Sequence, residues 1–220
     1  LVPTDYDSFL DKNGVKICSG DTIHFVDGIG GMYSGKIIGS NKRTCSIAIE
    51  KSQFTAQRKN YKVHLAIAPT KNINRLEWFL EKSTEIGMDE VTPILCQRSE
   101  RKQIRLDRLT KVVAAAMKQS MKTHLPEMNE LTKFKNLVQQ DFDGQKLIAH
   151  CNEGKKTKLK DIYAINSNVL ILIGPEGDFS NEEVVLALEN GFQPISLGIE
   201  RLRTETAGVV AVHTISLLNQ

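Results

Sequence analysis

The stretch 170-LILIGPEGDFSNEEV-184 decides the fold that we expect, because it runs from an apolar strand through a glycine-rich turn into a helix. Ser180 and Glu183 predict a capping box at the start of that helix, and Gly191 is a suitable residue to end it. The stretch 194-PISLGIERLRTETAGVVAV-212 repeats the order of strand, glycine and helix. Ligands of open α/β sheets bind at the carboxyl ends of strands, so both turns are candidate walls of one ligand site.

Upstream of these stretches, the pattern of predicted strands and helices divides the chain into two parts. Short strands with tight turns fill Asp21 to Phe54, which favours a small β-barrel or sandwich. After Lys62 strands such as "VHLAIA", "VTPILC" and "KLIAHC" alternate with helices, which predicts a mostly parallel sheet with helices on its faces. We therefore predict a β-barrel domain over residues 1–60 and an α/β domain over residues 61–220.

Composition excludes several classes of protein. Hydrophobic residues make up 40% of the chain and charged residues 25%, as in ordinary globular proteins, and no apolar run reaches eighteen residues. The beginning of the sequence lacks the pattern of a signal peptide, so we expect a cytoplasmic protein without a membrane partner. The four cysteines are far apart and have no histidine at ligand spacing, so we predict no metal site.

Basic residues are concentrated in one part of the chain. The net charge is only +3, yet eight basic residues and two acidic ones lie between Arg98 and Lys122. On a helix predicted from Arg105 to Met121, a narrow stripe would hold Arg108, Lys111, Lys118 and Lys122. Such a stripe is either a solvated helix face or a surface that contacts phosphates.

The chemistry of the two turns narrows the class of ligand. Neither a phosphate-binding loop nor a dinucleotide fingerprint is present, and Glu176 with Asp178 would repel phosphate. The remaining class is a polar ligand without phosphate that is bound largely by backbone groups. An adenosyl ligand that carries an amino acid would fit this description. In the second stretch Arg201, Arg203 and Glu205 predict an acid/base or anion-stabilising pair at the start of a helix.

The two stretches together carry a resemblance to a known family. "LIGPEGDFSNEEV" and "SLGIERLRTETAGVVAV" closely resemble the C-terminal signature of the ribosomal RNA small subunit methyltransferase E family, the uridine-N3 methyltransferases of the SPOUT superfamily. The segments "NRLEWFLEKSTEIGMDEVTPILCQRSE" and "AAAMKQSMKTHLPEM" are similar to further parts of that family. The resemblance covers the chain from about Val15 onward.

This resemblance implies a fold and a cofactor. The fold is a SPOUT-type α/β domain with a C-terminal deep trefoil knot, preceded by a small PUA-like β-barrel domain that binds RNA. S-adenosyl-L-methionine would lie bent in the knot, held by the segment after "LIAHC" and by the two glycine turns. The implied cofactor contacts are Leu172, Gly174, Pro175, Glu176, Gly177, Ser196, Leu197, Gly198, Leu202, Thr204, Thr206 and Ala207.

The resemblance also implies a reaction, methylation of N3 of a specific uridine in 16S ribosomal RNA of the small subunit by a homodimer. We expect Arg203 to hold a uracil carbonyl oxygen or an adjacent phosphate, with Glu205 as the base or as the group that orients Arg203. The predicted RNA contacts are Lys16, Arg98, Arg108, Lys111, Lys118 and Lys122. A non-catalytic RNA-binding or ribosome assembly factor, and a SPOUT methyltransferase acting on a different RNA, remain as alternatives.

Overall fold

The structure, a computed structural model, describes residues 19–40, 44–55 and 59–220. The chain divides into two compact units. The first contains the described residues up to Thr55 together with the segment Met121–Leu125, and the second begins at Lys59 and contains the rest. Among the residues described, no helix is long and apolar enough to cross a membrane.

The first unit is built around an antiparallel sheet. Its strands follow the chain order β1-β2-β3, with bounds β1 (Thr22–Val26), β2 (Gly31–Ser40) and β3 (Cys45–Phe54). The turn between β1 and β2 is closed by Asp27, whose Oδ1 accepts hydrogen bonds from the backbone N–H groups of Ile29 and Gly31 at 2.9 and 2.8 Å. An antiparallel bridge from Ile29 to His124 joins the segment Met121–Leu125 to this unit.

The second unit is a parallel sheet with helices. Eight strands form it in the order β6-β5-β4-β10-β8-β11-β9, with β7 also paired to β5, and every pairing is parallel. The strands are β4 (Val63–Ile67), β5 (Glu90–Leu95), β6 (Glu127–Met128), β7 (Thr132–Lys133), β8 (Gln145–Ala149), β9 (Thr157–Lys158), β10 (Val169–Ile173) and β11 (Gln193–Ser196). The helices are α1 (Ile73–Ile86), α2 (Leu106–Gln119), α3 (Phe134–Val138), α4 (Leu159–Ile162), α5 (Asn181–Glu189) and α6 (Thr204–Leu218).

Strand β10 occupies the middle of this sheet. All five of its residues are buried, and it pairs with β4 on one side and β8 on the other. Parallel strands end at the same edge of a sheet, so β8, β10 and β11 deliver their following loops to one place. The prediction of an α/β fold with a mostly parallel sheet is confirmed.

The capping box predicted at the start of α5 is also confirmed. Ser180 Oγ accepts a hydrogen bond from the Glu183 backbone N–H at 3.2 Å, and Glu183 Oε2 accepts one from the Ser180 backbone N–H at 2.9 Å. These bonds satisfy two backbone donors that the first helical turn leaves without intrahelical partners. They fix the direction in which the chain leaves the first glycine turn.

Helix α6 packs closely on α1 because Gly208 has no side chain. A Cβ atom at Gly208 would lie 2.5 Å from Cε2 of Phe79 and 3.1 Å from Cδ1 of Ile67. Both neighbours are fully buried in the core and cannot move aside into solvent. Gly208 is therefore a packing residue between α6, α1 and β4.

We expect Gly208→Ala to lower the free energy of unfolding by about 1–3 kcal/mol, because the added methyl group overpacks a full core. Urea unfolding followed by circular dichroism would measure this loss. A glycine-to-alanine change in a helix that meets no neighbour normally stabilises it, by about 1 kcal/mol. An unchanged or higher midpoint would therefore contradict the close packing of α6 on α1.

A buried polar cluster joins the starts of β4 and β5. His64 Nε2 lies 2.8 Å from Thr92 Oγ1 and 3.6 Å from Glu90 Oε1, and Asn129 Nδ2 donates to Thr92 Oγ1 at 2.8 Å. Burial lowers the pKa of His64 from its ordinary 6.5 to about 4, although Glu90 opposes this shift. His64 is thus neutral in the folded protein under conditions in which the unfolded chain would already bind a proton.

This difference predicts a pH-dependent loss of stability. As the pH falls from about 6.5 to about 4, the unfolded chain takes up a proton at His64 and the folded protein does not, so the free energy of unfolding decreases. We expect His64→Gln, which keeps a neutral polar group near Thr92, to lose less stability over the same range. Denaturant unfolding of both proteins at several pH values measures the difference, and parallel curves would contradict the assignment.

Candidate active site

A cavity of about 360 Å³ lies at the carboxyl ends of β8, β10 and β11. Most of the predicted cofactor contacts line it, namely Gly174, Pro175, Glu176, Ser196, Leu197, Gly198, Leu202, Thr204 and Ala207. Of the other three, Leu172 is fully buried in β10, whereas Gly177 and Thr206 lie within the same segments but outside the lining. The tertiary structure therefore brings the two glycine turns together around one cavity.

The first glycine turn is held by Asp178. This residue has a positive φ of 61°, and its N–H donates to the Pro175 carbonyl oxygen at 2.9 Å. Its Oδ1 accepts from the Phe179 N–H at 2.8 Å, and its Oδ2 accepts from the Cys151 N–H at 2.7 Å. The side chain thus ties the turn after β10 to the segment that follows β8.

The second glycine turn is connected to the first by a buried hydrogen bond. Thr204 Oγ1 donates to the carbonyl oxygen of Gly174 at 3.0 Å, and Thr204 is only 6% exposed. Within the second turn, Ser196 Oγ donates to the Gly198 carbonyl oxygen at 2.8 Å and accepts from the Gly198 N–H at 3.3 Å. The start of α6 is therefore fixed against the first turn, and Ser196 closes the second turn.

The space in front of Gly198 is open. Its φ of 151° lies in a region that favours glycine, and a Cβ atom added there would meet no atom within 4 Å. The next residue, Ile199, is 94% exposed. The Cα side of Gly198 is thus open to a bound molecule, whereas its N–H and carbonyl oxygen are both bonded to Ser196 Oγ.

His150 lines the cavity as a neutral group. Both ring nitrogens are shielded from solvent, and neither has a hydrogen-bond partner among residues 19–40, 44–55 and 59–220. Burial lowers the pKa of its imidazole, Lys156 lowers it further and Asp178 opposes the shift. The imidazole therefore adds no positive charge to the cavity at neutral pH.

The two arginines of the second stretch lie at the cavity with their charges available. Arg201 and Arg203 both line it and are exposed, and neither forms an ion pair within the described part of the chain. A guanidinium group presents five N–H donors and stays charged at any physiological pH. This wall of the cavity can therefore hold an oxyanion or a phosphate.

Glu205 lies away from the cavity lining, towards α1. It is only 7% exposed, and its Oε1 is 3.7 Å from Nε of Arg75. Its Oε2 is buried and accepts no hydrogen bond from the residues that the structure describes. The structure thus pairs Glu205 with Arg75 and leaves Arg203 without this partner.

The predicted RNA contacts are found in different surroundings. Lys111 and Lys118 are exposed on α2, but Arg108 is held by Glu77 of α1 through a hydrogen bond of 2.9 Å. Lys122 lies beyond the end of α2, in the segment assigned to the first unit, so its place in a single helical stripe was predicted wrongly. Lys16 lies outside the residues that the structure describes.

Arg98 contacts the first glycine turn. Its Nη1 donates to the carbonyl oxygens of Gly177 and Phe179 at 2.9 and 3.4 Å. A Cβ atom at Gly177 would lie 3.4 Å from the Arg98 side chain, which is an ordinary van der Waals distance, so this approach does not depend on glycine. The guanidinium group thereby supports the outer side of the turn that walls the cavity.

Arg101, in the same loop as Arg98, also supports the first glycine turn, and the sequence did not predict this role. Arg101 donates from Nε to the Thr70 carbonyl oxygen at 3.0 Å and from Nη2 to the Lys71 carbonyl oxygen at 2.7 Å. The Lys71 N–H in turn donates to Glu176 Oε1 at 2.9 Å. These residues are up to 105 positions apart in the chain, so no local pattern could indicate the contacts.

Comparisons with known proteins agree with this site. A family model described as "RNA methyltransferase domain" matches residues 57–216. The ribosomal RNA small subunit methyltransferase E of Mesomycoplasma hyopneumoniae is 32% identical over 73% of this chain and 71% of its own length.

Two solved structures are similar over nearly the whole chain. A "probable rRNA-methyltransferase" from Porphyromonas gingivalis is 37% identical with a TM-score of 0.88, covering 98% of this chain and 92% of its own. A methyltransferase from Legionella pneumophila, solved with the cofactor SAM bound, is 25% identical with a TM-score of 0.89. That match covers 100% of this chain and 91% of the Legionella chain.

The contacts of Arg98 predict that it supports ligand binding in the cavity. We expect Arg98→Met to weaken binding of S-adenosyl-L-methionine, the probe that we would titrate by calorimetry, roughly five- to thirtyfold, as the loss of about 1–2 kcal/mol of hydrogen bonding implies. Arg105→Met is the matched control, since the exposed Arg105 side chain bonds to Asp107 at 3.1 Å and to no other residue that the structure describes. Unchanged affinity together with a lower salt dependence of RNA binding would return Arg98 to the role of an RNA contact.

Proposed function

The chain belongs to the ribosomal RNA small subunit methyltransferase E family, and from this premise we propose that it methylates N3 of a specific uridine in 16S ribosomal RNA of the small subunit, with S-adenosyl-L-methionine as the methyl donor. The observation that carries the proposal is the cavity at the ends of β8, β10 and β11. Its walls are the two glycine turns of the family signature, and the arginines beside it have no acidic partner in the part of the chain that the structure describes.

The cavity suits the proposed cofactor. A volume of about 360 Å³ is within the range of small-molecule sites, and the space beside the Gly198 Cα atom is open. Backbone groups of Gly174, Glu176 and Ser196 would hold the adenosyl and amino-acid parts, and the Leu202 side chain would contact the apolar part of the ligand. When bound, the cofactor supplies a methyl group already activated on a sulfonium sulfur. The lowered pKa of His150 favours a neutral imidazole in the lining, which would add no positive charge to repel a cationic ligand.

Arg203 acts on the target base. The N3 proton of uridine is weakly acidic, and as it leaves, negative charge spreads to the two neighbouring carbonyl oxygens. The Arg203 guanidinium group lines the cavity and donates hydrogen bonds to one of these oxygens, where the charge develops. Glu205 serves as a positioning residue, because its contact with Arg75 fixes the start of α6 and Arg203 directly precedes that helix.

The units have separate tasks in this proposal. The first unit is a PUA-like domain that binds RNA, and exposed Lys111 and Lys118 of α2 contact phosphates. The second unit carries a deep trefoil knot, which membership of the methyltransferase E family implies. The target base is splayed out of its stack to reach the cavity.

The protein works as a homodimer in the cytoplasm, where ribosomal subunits are assembled. Trp78 of α1 is 44% exposed and Leu217 of α6 is 56% exposed, so both side chains are available for contact with a second subunit. Sedimentation analysis measures the association state directly.

The test is methyl transfer to small ribosomal subunits that lack the modification, followed by mass spectrometry of the nucleosides. We expect the unchanged protein to form 3-methyluridine. We expect Arg203→Ala to lower turnover about 100- to 1,000-fold, because removal of one hydrogen-bond donor to a developing oxyanion has an effect of this size. Affinity for S-adenosyl-L-methionine serves as the internal control and should stay within a few-fold. A methylated nucleoside other than 3-methyluridine would refute the target atom, and near-normal turnover of Arg203→Ala would refute its role.

A further inference from the structure

A lysine-rich segment lies beside the cavity, outside the stripe that the sequence analysis considered. The stretch 152-NEGKKTKLK-160 connects β8 to α4 and contains strand β9. Lys155, Lys158 and Lys160 are exposed, and we refer to these three as the β9 lysines. Lys156 is half-buried and donates a hydrogen bond to the Asn152 carbonyl oxygen.

Both ends of this segment are attached to walls of the cavity. At its start, the N–H of Cys151 donates to Asp178 Oδ2 at 2.7 Å, and Asn152 Nδ2 donates to Asn181 Oδ1 at 3.1 Å. At its end, β9 pairs with β11, where Lys158 lies opposite Ser196. Paired strands are about 4.8 Å apart, and Ser196 lines the cavity. The β9 lysines are therefore held at the rim of the cavity.

The β9 lysines outnumber the acidic residues of their own segment. None of the β9 lysines forms an ion pair within residues 19–40, 44–55 and 59–220, and the same holds for Arg201 and Arg203 at the cavity. The acidic residues within or next to that segment are Glu153 and Asp161, while the cavity lining contains Glu176, Asp178 and Glu200 beside the two arginines. Unpaired cations in excess over acids on an exposed surface attract a polyanion.

The stripe on α2 lies at the opposite edge of the sheet. Helix α2 packs on α1 and β6, and β6 is the strand farthest from β9 in the strand order. Arg108 of that stripe is already paired with Glu77. Along the strand order of the sheet, the β9 lysines are therefore closer to the cavity than the stripe on α2 is.

Edge protection is the competing explanation for these lysines. Lysines on an edge strand prevent pairing with the edges of other sheets, and β9 is an edge strand. A short edge strand pairs only weakly with the edge of another sheet, and β9 has only two residues. Lys155 and Lys160 lie outside the strand, where edge protection does not require them.

We propose that the β9 lysines form a phosphate-contacting surface that holds the RNA strand next to the target nucleotide. The inference rests on the proposed function, because it assigns the polyanion to the RNA substrate of the same cavity. Phosphate contacts of this kind position a nucleic acid without reading its sequence. The surface would orient the strand so that the splayed base enters the cavity between the two glycine turns.

The experiment compares Lys155→Gln/Lys158→Gln with Lys133→Gln/Lys135→Gln. The control pair removes the same charge from exposed positions at β7 and the start of α3, on the other half of the sheet. Binding to small-subunit ribosomal RNA is measured over a range of salt concentrations. Two lost phosphate contacts lower the slope of log affinity against log salt by about 1.4 to 1.8, and the control variant keeps the original slope.

Methyl transfer separates this inference from the proposed function. If the unchanged protein methylates small subunits, we expect the β9 variant to show a higher KM for the subunits with kcat and cofactor affinity unchanged. Equal slopes for the β9 variant and the unchanged protein would overturn the inference, and aggregation of the variant without a change in slope would assign these lysines to edge protection. Failure of the unchanged protein to methylate would instead count against the proposed function.

Discussion

The central position of β10 constrains the rest of the second unit. Its backbone hydrogen-bonds to a parallel strand on each side, and Val169, Leu170, Ile171, Leu172 and Ile173 are between 0 and 3% exposed. A strand enclosed in this way cannot shift its register without exposing apolar side chains or breaking two ladders. The loop that leaves it is therefore fixed in space, and the loops after β8 and β11 meet it at the same edge of the sheet.

Side chains that hydrogen-bond to backbone groups hold these three loops in place around the cavity. Asp178 holds the segment after β8, Thr204 holds the start of α6, and Arg98 supports the outer side of the first glycine turn. These contacts join segments between 27 and 79 positions apart in the chain. Such support on rigid elements is what a site needs if a methyl donor and a base are to be held in line.

Pairing of charges separates the residues that support the structure from those available to a ligand. Arg75 with Glu205 and Arg108 with Glu77 are charges that other parts of the protein already use. Arg201, Arg203 and the β9 lysines are exposed and have no such partner in the described part of the chain. A free cation retains its full attraction for an oxyanion or a phosphate, whereas a paired one must first lose its partner. The two kinds of arginine look alike in sequence and differ only in their neighbours.

The sequence by itself determined the local features of this protein. Period, capping residues and glycine positions predicted the alternation of strands and helices, the box of Ser180 with Glu183 and the two glycine turns, because each depends on residues a few positions apart. Tertiary structure alone decided three other features. Glu205 points towards α1, Arg98 and Arg101 support the first glycine turn, and the β9 lysines are attached to the cavity rim. These features depend on which distant segments the sheet brings together, and strand order is set by the packing of the whole chain rather than by any local pattern.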